Sequence, residues 1–94
     1  MIHFEDDESG YRAWLSTHPN GFVLNVRKRH DPNYVVLHKA SCGQISSDKV
    51  ADGAYTERSY TKWCGHSIED LRDAARREGR SDGTFSKRCG LCRP

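Results

Sequence analysis

The sequence predicts a small α+β domain: an N-terminal helix, a three-stranded antiparallel sheet, one amphipathic helix and a C-terminal Cys-x2-Cys turn. Three observations lead there. Two runs rich in β-branched and aromatic residues flank a Pro-containing turn at residues 21–38. A capped apolar stripe of helical period follows Ser67. Four candidate ligands fall in two pairs, His38 with Cys42 and Cys89 with Cys92. The chain has 94 residues, 35% hydrophobic and 30% charged, with a mean hydropathy of -0.86, so its core is thin. A domain of this size is marginally stable unless something staples it.

The elements follow in order. Glu5, Asp6, Asp7 and Glu8 read as an acidic, solvated tail over residues 1–9, which leaves 10–94 as a single domain. Ser9 to Thr17 reads as a short helix, with Ser9 as cap and Tyr11, Trp14 and Leu15 at helical spacing. Pro19, Asn20 and Gly21 end it. In residues 21–28 Phe22, Leu24 and Val26 share one strand face, and Tyr34 to His38 forms a second strand across the turn Arg29-His30-Asp31-Pro32-Asn33. The two should pair as a hairpin that delivers His38 to a strand end. Residues 43–54 read as loop, and Tyr55 to Trp63 as a third strand. Ser67 then caps a helix with an acidic third position and an apolar stripe of Ile68, Leu71, Ala74 and Ala75; Gly79 stops it. In so small a domain Trp14, Phe22 and Trp63 are expected in the core, and His3, His18 and His30 in solvent.

Two cysteines three residues apart with Gly90 between them can chelate one ion without straining the backbone. The His38/Cys42 pair completes the four donors that a closed tetrahedral zinc site needs. Cys64 is the alternative fourth ligand in place of His38, and His66 reads as a helix-start residue. Disulfides are the competing use of four cysteines. No secretory leader is recognisable before them, so thiols beside a histidine read as ligands in a reducing, cytoplasmic setting. No apolar run reaches transmembrane length, so no membrane partner is expected. One structural Zn2+ in a monomer is the expectation, and folding should depend on it.

The ligand pair His38-x3-Cys42 and the ending Phe85-x3-Cys89-x2-Cys92-x-Pro94 resemble the metal-binding domain of Ada-type DNA repair proteins. The likeness covers about residues 34–94 and is specific at the ligand pairs and Pro94. Two departures matter: His38 stands where that family has cysteine, and the insertion before the terminus is longer. The resemblance implies structural zinc and DNA contact. It also implies a weaker alternative, a zinc-bound thiolate that accepts an alkyl group, although a histidine ligand makes the site less electron-rich. The Leu-His-x3-Cys run is also similar to small domains that accompany restriction or mobile-element proteins.

Outside the acidic start, the remaining residues hold 15 basic and 9 acidic side chains, a net of +6. Such a body prefers an anionic partner. Arg27, Lys28 and Arg29 lie at the hairpin tip, while Lys39, Lys87, Arg88 and Arg93 surround the ligand pairs. These are the candidate nucleic-acid contacts, with Tyr34, Tyr60 and Trp63 as stacking surfaces. No nucleophile elbow or phosphate loop appears, so a non-catalytic module is expected. DNA is the expected partner, in a role accessory to restriction or repair. The alternative is a protein-interaction module using the acidic N-terminus and exposed aromatics.

Overall fold

The computed structural model describes residues 1–94. The chain runs β1 (Ile2–Phe4), α1 (Glu8–Thr17), β2 (Phe22–Arg27), β3 (Val35–Lys39), a 3-10 turn (Gly43–Ile45), β4 (Tyr60–Gly65), α2 (Ile68–Arg77) and β5 (Lys87–Arg88). The α+β class and the two helices are as expected. The sheet is not three-stranded and antiparallel. It has five strands in the order β1-β4-β2-β3-β5, and β5 runs parallel to β3, so it is mixed. The extra strands flank the expected three and are only three and two residues long.

The β2–β3 hairpin forms with Val26 opposite Val35. Its turn is fixed by the Asp31 carboxylate, which accepts from the Asn33 amide at 2.9 Å. His30 sits there at φ 55, a left-handed conformation uncommon outside glycine. It is not merely solvated, since its Nδ1 lies 2.9 Å from the Glu78 carboxylate.

The acidic start is not a solvated tail. Ile2 to Phe4 pair with β4, Ile2 opposite Cys64 and Phe4 opposite Lys62. Asp7, rather than Ser9, caps α1 by accepting from the Gly10 amide at 3.0 Å. Glu8 is spent on the chain ahead of β4: its carboxylate accepts from the Tyr55 amide (3.1 Å), the Thr56 amide (2.8 Å) and the Thr56 hydroxyl (2.9 Å). Those bonds hold Tyr55 and Thr56 in a turn, so the third strand starts at Tyr60 instead of Tyr55.

Strand alternation divides the core in two. Leu24, Val26, Val35, Leu37 and Trp63 face α2 and meet Leu71, Ala74 and Ala75. Phe22 is only half-buried at the edge of that cluster. Val23, Cys64 and Phe4 point to the other face, where Tyr11 and Trp14 of α1 pack with Ile45 and Tyr55. Each large apolar side chain buried this way contributes about 1.5–3 kcal/mol. α2 is closed at both ends as its sequence requires: the Ser67 hydroxyl accepts from the Asp70 amide at 3.2 Å, and Gly79 leaves the helix at φ 103. Glu78, buried at the helix end, accepts from Trp63 Nε1 at 3.1 Å. No helix is long and apolar enough to cross a membrane.

Only half of the face away from α2 is covered. The other half forms a cleft beside the candidate ligands, lined by Asn25, Tyr34, Val36, Tyr60, Lys62 and Lys87.

Candidate metal centre

β3 presents His38 opposite in facing to Leu37, so the imidazole leaves the α2 core and enters the other side. The turn closed by the Cys42 amide on the Lys39 carbonyl (3.0 Å) then swings Cys42 back beside it. β5 brings the second pair. The Cys89 amide donates to the Leu37 carbonyl at 2.9 Å, which extends the parallel pairing to the first residue of the Cys-x2-Cys turn. The ligand atoms of His38, Cys42, Cys89 and Cys92 all lie within 4.8 Å of one another. Cys42 and Cys89 Sγ are 3.9 Å apart. Tetrahedral thiolates at about 2.3 Å from one ion sit about 3.8 Å apart, so the spacing fits one metal. His38, Cys42 and Cys89 are buried and Cys92 is half-buried.

Several observations show that this donor set suits a cation. His38 Nδ1 is buried without a hydrogen-bond partner, an arrangement that costs free energy unless something coordinates the ring. Burial, with Lys62 and Lys87 adding to it, lowers His38 to about 4, so the imidazole is neutral, as a ligand must be. Backbone amides favour charge on the sulfurs: that of Gln44 on Cys42, those of Leu91 and Cys92 on Cys89, and that of Lys39 by donating to Cys92 at 3.2 Å. Amide donors of this kind stabilise sulfur that carries negative charge. Burial pushes the Cys42 thiol up to about 11. For Cys89 burial acts in the same direction, but the Cys92 and Leu91 amides and the neighbouring thiols outweigh it and hold the group below its ordinary value. Cys89 Sγ also lies 3.4 Å from the Gln44 side-chain oxygen; rotation of that amide would present a donor to a thiolate.

Cys64 lies outside the four-residue group, fully buried in the core shared with α1, with Val23 and Ile2 as its cross-strand neighbours. Burial pushes its thiol up to about 12, although Lys62 pulls the other way. A thiol so placed is an inert, protonated packing residue. His66 precedes α2 near His18 and Trp14, with ring centroids 5.0 and 6.3 Å away.

The candidate nucleic-acid residues fall in two places. Arg27, Lys28 and Arg29 share a groove of about 520 Å³ with Arg58, which sequence reasoning missed because it lies in a turn far along the chain. Lys28 is paired with Asp6, and Arg27 lies 3.8 Å from Asp31 and 4.4 Å over the Tyr34 ring. Arg29 is exposed. Near the ligands, Lys87 lines the cleft, while Lys39 and Arg93 are exposed. Arg88 points to the α2 side, 5.7 Å over Phe85, and donates to the Pro94 carbonyl at 3.1 Å. Tyr34 and Tyr60 lie on the cleft with rings 5.6 Å apart. Trp63 is not a stacking surface for a partner: it is buried on the α2 side, stacked with His3 at 4.1 Å.

Sequence reasoning also missed Lys62. It is 1% exposed, and its ammonium donates to Asn25 Oδ1 and the Tyr55 carbonyl, both at 2.8 Å. Burial lowers it to about 7, against Glu8 and Cys64, which favour the charge. The signal was its strand phase, since Lys62 alternates with Thr61 and Trp63 and so faces away from α2. No family model, curated protein or solved structure matches the chain. The likeness to Ada-type domains therefore rests on the two ligand pairs and Pro94 alone.

Proposed function

We propose that the chain is a non-catalytic nucleic-acid-binding module, directed to DNA and accessory to restriction or repair, whose fold is held by one structural zinc ion. One observation carries the reading. Arg27, Arg29 and Arg58, from two separate segments, line one groove; Arg27 also reaches over Tyr34 and Tyr60 of the neighbouring cleft, where Lys87 of β5 stands and which no carboxylate lines. Solubility alone does not require cations to converge on one face, whereas phosphate contact does. Three thiols and an imidazole are a donor set that zinc favours, and four protein ligands leave it no open position for hydrolysis.

The test is fluorescence anisotropy with a labelled 12-nucleotide single strand and the matching duplex across a salt series. Affinity should fall as salt rises, with a log–log slope of about -2 to -3 for the single strand and about -3 to -4 for the duplex if three or four phosphates are neutralised. The triple variant Arg27→Glu, Arg29→Glu, Arg58→Glu should lose binding. Affinity indifferent to salt and to these charges would overturn the proposal. The rival reading, a protein-interaction module using the acidic N-terminus and exposed aromatics, is less favoured, because three of the four acidic residues serve the fold. Asp6, Asp7 and Glu8 are engaged within the fold by Lys28, Gly10 and Thr56. The alkyl-acceptor alternative falls to a ligand thiolate and not to Cys64, whose buried thiol is held protonated.

A further inference from the structure

The cleft beside the metal centre has a volume of about 700 Å³, within the range of small-ligand sites. It exists because α2 covers one face of the sheet while α1 and residues 43–56 cover only half of the other. Its floor is unusual. Lys62 is a buried ammonium with three donors, and the fold supplies acceptors for two of them, Asn25 Oδ1 and the Tyr55 carbonyl. The third donor, present whenever the amine is protonated, has no protein acceptor, and no carboxylate lines the cleft, the Glu8 carboxylate being held by Tyr55 and Thr56 outside it. A buried cation short of an acceptor favours an occupant that brings one. The walls are aromatic: Tyr34 and Tyr60 are half-buried with their rings tilted at 41°, and Tyr55 closes the inner side.

The cleft also lies on a path of positive charge. Arg27 sits over the Tyr34 ring at 4.4 Å and over Tyr60 at 5.7 Å, and the same residue lines the groove with Arg29 and Arg58. At the other end stands Lys87, with the metal ligands His38 and Cys89 beside it. An aromatic hollow between two cationic stations matches one unstacked base between two phosphates. A paired base, stacked inside a duplex, cannot enter a hollow of this shape.

We infer that this cleft receives a single unpaired nucleobase bearing an exocyclic carbonyl, stacked on Tyr34 and Tyr60, with Lys62 donating to that carbonyl. Thymine, uracil, cytosine and guanine offer such an acceptor; adenine does not. The inference rests on the nucleic-acid reading above and adds the strandedness and base class of the target.

The experiment uses the zinc-loaded 94-residue chain and labelled dT12, dA12 and a 12-base-pair duplex. dT12 should bind about tenfold more tightly than dA12 or the duplex, the scale of one stacked and hydrogen-bonded base. Tyr60→Ala and Lys62→Met should each reduce dT12 to the level of dA12 while changing duplex affinity less than about twofold. Tyr60 is half-buried outside both core clusters, so its variant tests the cleft even if Lys62→Met does not fold. Thymidine monophosphate should displace dT12 where the same concentration of inorganic phosphate does not. Equal binding of dT12 and dA12, unaffected by Tyr60→Ala, would overturn the base pocket and leave the nucleic-acid reading standing. Displacement by phosphate as effective as by the nucleotide would make the cleft an anion site and overturn it too. No binding of any probe at low salt would overturn both.

Discussion

Cys42 shows what burial demands of a ligand before it ligates. With its thiol pushed up to about 11, it carries a proton at neutral pH until a cation displaces it, so metal uptake must release protons and weaken as pH falls. Cys42→Ser or Cys89→Ser should therefore abolish the one-metal stoichiometry in native mass spectrometry, whereas Cys64→Ala should keep it. Metal lost from the Cys64 variant instead would show that the ligand set is misassigned. Lys62 gives a second residue-scale prediction. Its folded value near 7 lies below the ordinary lysine value, so between about pH 7 and 10 the folded chain holds fewer protons than the unfolded one. Stability attributable to Lys62 then rises with pH across that window, and its burial cost is fully present below it. Urea unfolding of metal-loaded wild type and Lys62→Met should show the difference between them moving in favour of wild type from pH 7 to pH 9. An unchanged difference would mean that Lys62 keeps its proton throughout.

The elements differ in how much of them a sequence can announce. α2 was legible because Ser67, the stripe through Ala75 and Gly79 all state the same helix. Ser67→Ala should cost about 1 kcal/mol in thermal or urea unfolding. Gly79→Ala should cost at least as much, because φ 103 is left-handed and an added Cβ would stand 3.2 Å from Pro32. A loss below a few tenths of a kcal/mol in both would show that these caps do not hold the helix. The hairpin was legible from Asp31-Pro32-Asn33, and the ligands from their spacing. β1 and β5 were not, because three and two residues are too few to display alternation, and Lys87-Arg88 reads as a charged turn until β3 supplies its partner. The start of β4 was hidden for a different reason: the three bonds that displace it come from Glu8, nearly fifty residues earlier. Arg58 and the buried ammonium of Lys62 share that cause. Both gain their role only from segments that the fold, not the local sequence, brings beside them.

At the scale of the molecule, a metal held by the four ligands would join chain segments 47 residues apart, Cys42 to Cys89, in a domain with only 28 buried residues. A cross-link over such a span removes much of the unfolded chain's freedom. Chelation should consequently lower Tm by tens of degrees or erase the cooperative transition, since several kcal/mol of binding free energy corresponds to about 4–8 °C per kcal/mol in a domain of this size. Calorimetry with and without EDTA decides it, and a shift of only a few degrees would show that the two cores suffice without the metal. The division of those cores by the sheet has a spectroscopic consequence. Each side owns one indole: Trp14, stacked on His18 at 4.3 Å on the metal side, and Trp63, bonded to Glu78 under α2. Two single-tryptophan variants, Trp14→Phe and Trp63→Phe, would let fluorescence watch the faces separately as metal is withdrawn. Coincident emission changes would mean that the ion governs both sides at once. An early change at Trp14 alone would reveal a sheet that insulates one half of the protein from the loss of the other.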